Sequence, residues 1–406
     1  MSAPAASTTR TATSTAGPAP APTERLAGAE AQAQAPSPSW RQDLAAAAPG
    51  WIVAHLVVVA SLLLARFLVA HLHVASHLAH VRSHQGLLAW DADWYRRIAL
   101  HGYAHVPTRS LRFFPAFPLL AWPGVVAGSA GVSALLLVLA NGGALVLGAL
   151  IHRLALEETG DRALARRAAW LVAVLPPAFV MVMGYAEPLA ISLAVVAFLA
   201  AARGRWWWAA AAALVFGAMR PVGPLLAVPL GVEALRHMRG LDRRAVPARA
   251  AAVAAAPAGA GLYLAWVALR FGDGMLPYRA QEIKGLRGPP VNPVVVLGHV
   301  LGRLAGGDIG KQLHYPWVVL AVIALVAMAR RWPLSYSAFA LATLAAALAS
   351  YNLNSIERYL WGCFPFVLVL AGATGSGRAQ ARVVMVVSTL LLAVYGLATF
   401  LGSYVP

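Results

Sequence analysis

The sequence predicts an all-α polytopic membrane protein with about eleven transmembrane helices and a large first extracytoplasmic loop. Charged residues make up only 12% of the chain and hydrophobic residues 60%, whereas soluble domains carry about 25% charged residues. The apolar residues come in repeated runs close to the roughly 20 residues that a helix needs to cross about 30 Å of hydrocarbon. The arginines lie mainly between these runs, as they do in membrane-protein loops.

Residues 1–50 precede the first apolar run and consist mainly of Ala, Pro, Ser and Thr. They lack the n-region, apolar core and cleavage site of a secretory signal, and their composition predicts a disordered cytoplasmic tail. The formal net charge of +17 would suit either nucleic acid or an anionic membrane surface. Because the arginines occupy short loops between apolar runs, the charge favours membrane lipids as partners and no nucleic acid.

The first predicted span covers residues 51–70, and a row of histidines follows it. His73, His77, His80 and His84 recur at i, i+4, i+7 and i+11, which places them on one narrow face of a helix. Imidazoles one turn apart can share a zinc ion. The absence of a carboxylate or thiol completing the set favours the other interpretation, a polar stripe on a helix at the membrane interface.

Ten further spans are predicted at 132–151, 168–184, 188–202, 206–219, 221–235, 250–269, 316–328, 334–351, 359–373 and 383–401. Five alternate short loops, all on one side, hold 15 arginines, whereas the short connections on the other side hold only Arg220 and Arg358. The positive-inside rule then makes the arginine-rich side and the start of the chain cytoplasmic. This topology predicts a multi-pass protein of the plasma membrane, with 51–406 as its transmembrane domain.

Every unusual polar segment falls on the opposite, extracytoplasmic side in this topology. These segments are the first external loop at 71–131, the second at 271–315, and three short turns at 185–187, 220–223 and 352–358. Five connections that bring charged or hydrogen-bonding groups to one membrane level predict an active site that faces outward.

The stretch from Trp90 to Pro118, WDADWYRRIALHGYAHVPTRSLRFFPAFP, is the most polar of these segments. A carboxylate near a membrane surface needs a reason to be there. Asp91 or Asp93 could act as a general base that takes a proton from an acceptor hydroxyl. Alternatively, both aspartates simply pair with Arg96 and Arg97 on a solvated loop.

Arg220 and Arg358 are the candidate ligands for a phosphate group. Each lies alone at a predicted helix end on the side where the topology disfavours positive charge, and guanidinium groups match phosphate oxygens bidentately. The other external arginines are expected to contact lipid headgroups. Glu187, just before Pro188, either meets a helix N-terminus or orients an arginine or a substrate hydroxyl.

Six motifs lie in order between Trp90 and Phe366: WDADWYRRIALHGY, FFPAFPLL, GYAEPL, MRPVG, FGDGMLPYRAQ and ERYLWGCFPF. Together they resemble the PIG-V (GPI mannosyltransferase 2) family, including its actinobacterial members. The first two are similar to the family's N-terminal signature, and the other four follow in family order. MRPVG and FGDGMLPYRAQ are less regular than the corresponding family stretches. The matched region runs from Trp90 to Phe366 and leaves out the tail and the last helix.

The resemblance implies a GT-C glycosyltransferase, a multi-span helical enzyme that takes a sugar, usually mannose, from a polyprenyl-phosphate donor. It implies inverting transfer on the extracytoplasmic side to a glycolipid, glycan or protein acceptor. Asp91 matches the family's acidic position and is the first candidate base, and Asp93 ranks second. The matched segments add four candidate substrate contacts: His101, Tyr103, Gln281 and Tyr359. No cofactor is predicted; some GT-C enzymes need a divalent metal, but the two aspartates lack a firm third ligand.

Three rival functions remain open at the level of sequence. A transporter or a flippase for lipid-linked sugars would carry ionisable residues near mid-membrane and an inverted repeat, and neither is visible here. A protein O-mannosyltransferase would share the fold and differ in its acceptor. A receptor or scaffold would need none of this chemistry.

Overall fold

The computed structural model describes residues 39–72, 81–236, 243–283, 285–310, 314–375 and 377–404. Within these ranges the chain forms helices and no strand, which confirms the predicted all-α membrane protein. The α-helices are α1 (Trp40–His71), α2 (Asp91–His101), α3 (Ala116–Ala121), α4 (Gly128–Thr159), α5 (Arg162–Val174), α6 (Glu187–Ala202), α7 (Trp206–Gly217), α8 (Ala227–Arg236), α9 (Val246–Phe271), α10 (Leu276–Arg279), α11 (Pro293–Ala305), α12 (His314–Arg331), α13 (Leu334–Leu348), α14 (Ile356–Gly362), α15 (Pro365–Ala373) and α16 (Arg378–Leu401). Short 3-10 helices cover Ser83–Leu88, Tyr103–His105, Thr108–Arg112, Trp122–Ala127, Pro176–Met181, Gly223–Leu226 and Arg243–Ala245.

Five helical segments of the described chain are long and apolar enough to cross a membrane: Trp40–His71, Ala116–Thr159, Arg243–Phe271, His314–Arg331 and Arg378–Leu401. The pair α14 and α15 would make a sixth, but the two helices meet at an 84° bend, where Pro365 cannot continue the preceding helix. Helices α6, α7, α11 and α13 are apolar but have only 12–16 residues, or about 18–24 Å at 1.5 Å per residue. The count of eleven spans stays a prediction.

Helix α1 begins at Trp40, so the predicted disordered tail over residues 1–50 is wrong for residues 40–50. Ser39 and Gln42 form a reciprocal capping box at this start, which satisfies two backbone donors of the first turn. The carboxylate of Asp43, fully buried, accepts hydrogen bonds from His152 Nδ1 at 2.7 Å and from Arg153 Nε at 2.8 Å. These contacts with α4 stabilise the first turns of α1, in a stretch whose composition favours disorder. Residues 1–38 lie outside the described ranges.

The packing of α7 against α9 depends on two glycines at their crossing. A Cβ atom on Gly217 would lie 2.0 Å from the backbone oxygen of Ala256, and one on Gly259 would lie 2.0 Å from that of Leu214. Small residues let two membrane helices approach until their backbones touch. The close crossing fixes the end of α7 at Gly217. It therefore also positions Arg220, which lies three residues later.

Candidate active site

Asp91 is the first residue of α2, and tertiary contacts hold its backbone in place. Trp90, directly before it, has φ 60° and ψ −120°. The backbone N–H of Asp91 donates a hydrogen bond to the hydroxyl oxygen of Tyr185 at 3.3 Å. A carboxylate in the first turn also interacts favourably with the helix dipole. The helix start and the contact with Tyr185 therefore fix the position of the Asp91 backbone.

Arg358, in the first turn of α14, forms an ion pair with Asp91. Its Nη1 atom lies 2.7 Å from Asp91 Oδ2. Arg112 approaches the other carboxylate oxygen, with its Nη2 atom 4.0 Å from Oδ1. The three side chains are only 11%, 17% and 18% exposed for Arg358, Asp91 and Arg112. Because little water screens them, the attraction between these charges is stronger than in a surface salt bridge, and it offsets the free energy lost when the groups leave water.

Glu187 connects Arg358 to Arg220. Its Oε1 atom lies 2.7 Å from Arg220 Nη1 and 3.4 Å from Arg358 Nε. Glu187 starts α6 and its side chain is 3% exposed, while Arg220 sits in the turn after α7. Three turns of the fold that are remote in sequence thus bring their charged residues into one cluster.

Two buried tyrosines border the cluster. The ring of Tyr185 lies under Arg358, with the guanidinium carbon 5.5 Å from the ring centroid. Burial raises the pKa of Tyr95, and the negative charges of Glu187 and Asp91 raise it further. Burial also raises the pKa of Tyr185, again with Asp91 adding to the shift. Both phenols are therefore neutral hydrogen-bonding groups at physiological pH.

The charges of the cluster do not balance. The guanidinium groups of Arg112, Arg220 and Arg358 face two carboxylates, which leaves one positive charge uncompensated. Among the described residues, Arg358 Nε and Glu187 Oε2 are buried without a hydrogen-bond partner, although buried polar atoms are normally satisfied. An anion with several oxygens, such as a phosphate, would compensate the charge and could bind the guanidinium donors.

A pocket with mostly apolar walls adjoins this cluster. Arg220, Arg358 and Tyr359 form its polar wall. The remaining walls come from Ala190, Ile191, Phe216, Val222, Phe339, Thr343 and Gly362. The pocket has a volume of only about 20 Å³, room for about one water molecule, so it marks where the polar and apolar surfaces meet and does not by itself hold a lipid chain.

Asp93 lies on the same helix as Asp91 but outside the cluster. Its carboxylate pairs with Arg96 at 2.6 Å and with Arg97 at 2.8 Å, one turn along α2. The simple pairing that the sequence allowed for both aspartates therefore occurs for Asp93, while Asp91 pairs across the fold with Arg358.

Three other predicted site residues have no described contact with the cluster. His101 is exposed at the end of α2. Tyr103 donates a hydrogen bond to the backbone oxygen of Phe113 at 2.5 Å and packs against Tyr263. Gln281 is half-buried in the second loop.

Tyr359 lies in the pocket wall beside Arg358, and a further arginine stacks on it. The guanidinium carbon of Arg287 is 4.5 Å from its ring centroid. Arg287 also donates hydrogen bonds to the backbone oxygens of Ala346 and Ala347. The contact links the second predicted external loop to the pocket.

The sequence predictions did not include Arg112, Tyr185 and Tyr95 as parts of the cluster. Arg112 was grouped with the headgroup-contacting arginines because nothing in its spacing sets it apart. Tyr185 had a signal, since it stands two residues before Glu187 in the GYAEPL segment. Tyr95, the third addition, carries no such signal beyond its place in the WDADWY motif.

No set of three His, Cys, Asp or Glu side chains converges in the part of the chain that the structure describes. His73, His77 and His80 lie outside the described residues, and His84 is exposed. The zinc interpretation of the histidine row is therefore untested.

The fold is similar to solved structures of the Archaeoglobus fulgidus oligosaccharyltransferase. The complex of that enzyme with Zn and sulfate has 14% identity and a TM-score of 0.40, over 72% of this chain and 45% of that chain. The complex of the same organism's AglB with an inhibitory peptide and a dolichol-phosphate has 12% identity and a TM-score of 0.42, over 86% and 56%. The structure tethered to an acceptor peptide has 13% identity and a TM-score of 0.42, over 86% and 55%.

The chain spans about half the length of these structures. Likeness at this level says nothing about the reaction of this chain. No protein-family model matches the sequence, and no curated protein matches it. Membership of the PIG-V family stays a prediction.

Proposed function

We propose that the chain is a membrane glycosyltransferase that transfers a hexose, mannose as the first candidate, from a polyprenyl-phosphate donor to an acceptor hydroxyl. Two observations support this proposal. The ordered motifs from Trp90 to Phe366 resemble a family with this activity. The cluster around Asp91 also supplies the two groups that the reaction needs, a carboxylate base and cations for a phosphate.

The observation that carries the proposal is the ion pair between Asp91 and Arg358 at the polar wall of the apolar pocket. An isoprenoid phosphate has a charged head and a hydrocarbon chain. Its head would bind Arg358 and Arg220, and its chain would extend from the apolar side of the pocket toward the membrane. The sugar on the phosphate would then lie beside Asp91.

In the proposed step, Asp91 accepts the proton of the acceptor hydroxyl. The acceptor oxygen forms a bond to the anomeric carbon while the bond from that carbon to the phosphate oxygen breaks. The polyprenyl phosphate leaves with the electron pair, so attack from the opposite face inverts the anomeric configuration. Arg358 and Arg220 stabilise the charge that develops on the leaving phosphate, and the fixed cluster supplies orientation.

The pairing with Arg358 also suggests an order of binding. While Arg358 Nη1 binds Asp91 Oδ2, that oxygen is already occupied as a hydrogen-bond acceptor. A donor phosphate would compete for Arg358 and release the Asp91 oxygen for the acceptor proton. The base would therefore be active only after the donor has bound.

The test is transfer of labelled mannose from polyprenyl-phosphate-mannose in membranes that contain the protein. Asp91→Asn should lower turnover by at least 1,000-fold, within the range measured when an acid–base group is removed from an enzyme (about 10²–10⁴). Asp93→Asn is the matched control, because it removes the same charge from the same helix outside the cluster. Near-normal turnover by Asp91→Asn, or equal losses in both variants, would remove Asp91 from the role.

The product of the assay distinguishes a transporter or flippase from a glycosyltransferase. Movement of the lipid-linked sugar across proteoliposomes without any covalent product would replace the glycosyltransferase proposal. Mass spectrometry of the labelled product would assign the acceptor to glycolipid, glycan or protein. The proposed location of the site is the extracytoplasmic side of the plasma membrane, as the arginine distribution predicts.

A further inference from the structure

The turn that ends α16 contacts the residue before Asp91. The indole Nε1 of Trp90 donates a hydrogen bond to the backbone oxygen of Thr399 at 3.0 Å. The backbone N–H of Arg82 donates to the oxygen of Phe400, also at 3.0 Å, and the Arg82 guanidinium lies 5.1 Å from the Trp90 ring. We call residues 399–404 the α16 clamp.

The same clamp contacts the residue before Arg358. The hydroxyl of Tyr404 donates to Glu357 Oε2 at 2.9 Å. His314 Nδ1 contacts the other oxygen of Glu357 at 2.6 Å. Glu357 is fully buried, and Tyr404 and His314 are 3% and 5% exposed. A buried carboxylate with a partner on each oxygen is a firm anchor, because any displacement would leave it unsatisfied.

Backbone strain occurs at the same two places. Trp90 with φ 60° and Ser355 with φ 63° are the non-glycine residues with positive φ in the described part of the chain. Trp90 precedes the helix that carries Asp91, and Ser355 precedes the helix that carries Arg358. Strained residues keep such conformations only where the surrounding structure holds them, and they concentrate at functional sites.

We propose that the α16 clamp positions the Asp91–Arg358 pair, with Tyr404, Glu357 and His314 as positioning residues. The clamp holds the start of α2 through Trp90 and the start of α14 through Glu357. It therefore holds the starts of both helices that carry the charged side chains. This inference rests on the proposed function for its kinetic consequence, but the contacts themselves are independent of the reaction.

Tyr404→Phe is the test variant, because it removes only the hydroxyl that binds Glu357. Turnover should fall about tenfold, the equivalent of one lost hydrogen bond to a charged group, while KM for the donor stays unchanged. Tyr395→Phe is the matched control: Tyr395 lies in α16 and packs against the Tyr404 ring, but its hydroxyl accepts a hydrogen bond from Trp317 at 3.0 Å. Both variants should lower the unfolding temperature by similar amounts.

Turnover in Tyr404→Phe equal to wild type would overturn the positioning role. Equal loss in both tyrosine variants would also overturn it, because the effect would then be general destabilisation. Glu357→Gln tests rescue by a conservative variant, because its amide oxygen can still accept the hydrogen bond from Tyr404. It should retain more activity than Glu357→Ala, which has no acceptor.

A second measurement keeps the inference testable if the proposed reaction fails. Hydrogen–deuterium exchange of the full-length protein in detergent should rise in 91–101 and in 356–362 for Tyr404→Phe, and in neither for Tyr395→Phe. Unchanged exchange in both segments would overturn the clamp whatever the activity. Increased exchange together with no sugar transfer by wild type would keep the clamp and reject the glycosyltransferase.

Discussion

Asp91 and Arg358 are 267 positions apart in the chain, and their side chains meet at 2.7 Å. The pair joins the first and the last of the polar segments that the sequence marks as unusual. Its surroundings contain a second carboxylate, Glu187, and two further guanidinium groups.

Arg358→Lys should lower kcat/KM for the donor by about 100-fold, although the charge is kept. A lysine ammonium cannot replace a planar fork that contacts Asp91 through Nη1 and Glu187 through Nε. Arg97→Lys is the control, because Arg97 is half-exposed and pairs with Asp93. The measurement is the initial rate of transfer over a range of donor concentrations. A loss below threefold in Arg358→Lys would contradict the phosphate-binding role.

Tyr185→Phe should lower turnover about fivefold and stability by about 1 kcal/mol, the usual contribution of one hydrogen bond. The missing hydroxyl would leave the backbone N–H of Asp91 without its acceptor at the start of α2. Tyr351→Phe provides the comparison, since Tyr351 is exposed. Turnover and thermal unfolding measured on the same preparation would separate the effect on catalysis from the effect on stability. Wild-type values for both quantities in Tyr185→Phe would count against a role of Tyr185.

Gly259→Ala should destabilise the protein by about 1–3 kcal/mol, the usual cost of forcing extra volume into a packed site. The new Cβ would lie 2.0 Å from the backbone oxygen of Leu214 on α7. Gly261→Ala, two residues along α9, meets nothing within 4 Å and should leave stability unchanged or raise it slightly. Thermal unfolding in detergent measures both. Similar unfolding temperatures for the two variants would show that α7 and α9 do not cross this closely.

The sidedness of the cluster can be measured with single cysteines, because the natural Cys363 is fully buried. His101→Cys should react with a membrane-impermeant maleimide in intact cells. Arg205→Cys, exposed in an arginine-rich loop, should react only after permeabilisation. The reverse pattern would place the proposed active site on the cytoplasmic side and contradict the positive-inside assignment.

The sequence identified most members of the cluster but not their pairing. Asp91, Glu187, Arg220 and Arg358 were all candidates, because charge in an apolar chain is conspicuous. Hydrophobic periodicity describes the faces of single helices, and it carries no information on contacts between distant turns. For that reason Arg358 could be expected at a phosphate but not opposite Asp91.

Two other features depend on tertiary contacts that no local pattern encodes. The first turns of α1 lie in an Ala-rich stretch that resembles the tail before it, and the partners of Asp43 come from α4. The local sequence does not distinguish Arg112 from its neighbouring arginines; only the folded chain buries it beside Asp91. Its burial lowers the pKa of its guanidinium, and Asp91 opposes the shift, so its environment and not its sequence context sets it apart.

The distance in sequence between Asp91 and Arg358 has a consequence for biosynthesis. Ribosomes add about 5–20 residues per second, so Asp91 is synthesised roughly 13–53 s before Arg358. During that interval the carboxylate of Asp91 lacks the guanidinium that lies nearest to it in the complete fold. A nascent chain that stalls between these positions can carry Arg112 but lacks Arg358, so its charged cluster is incomplete.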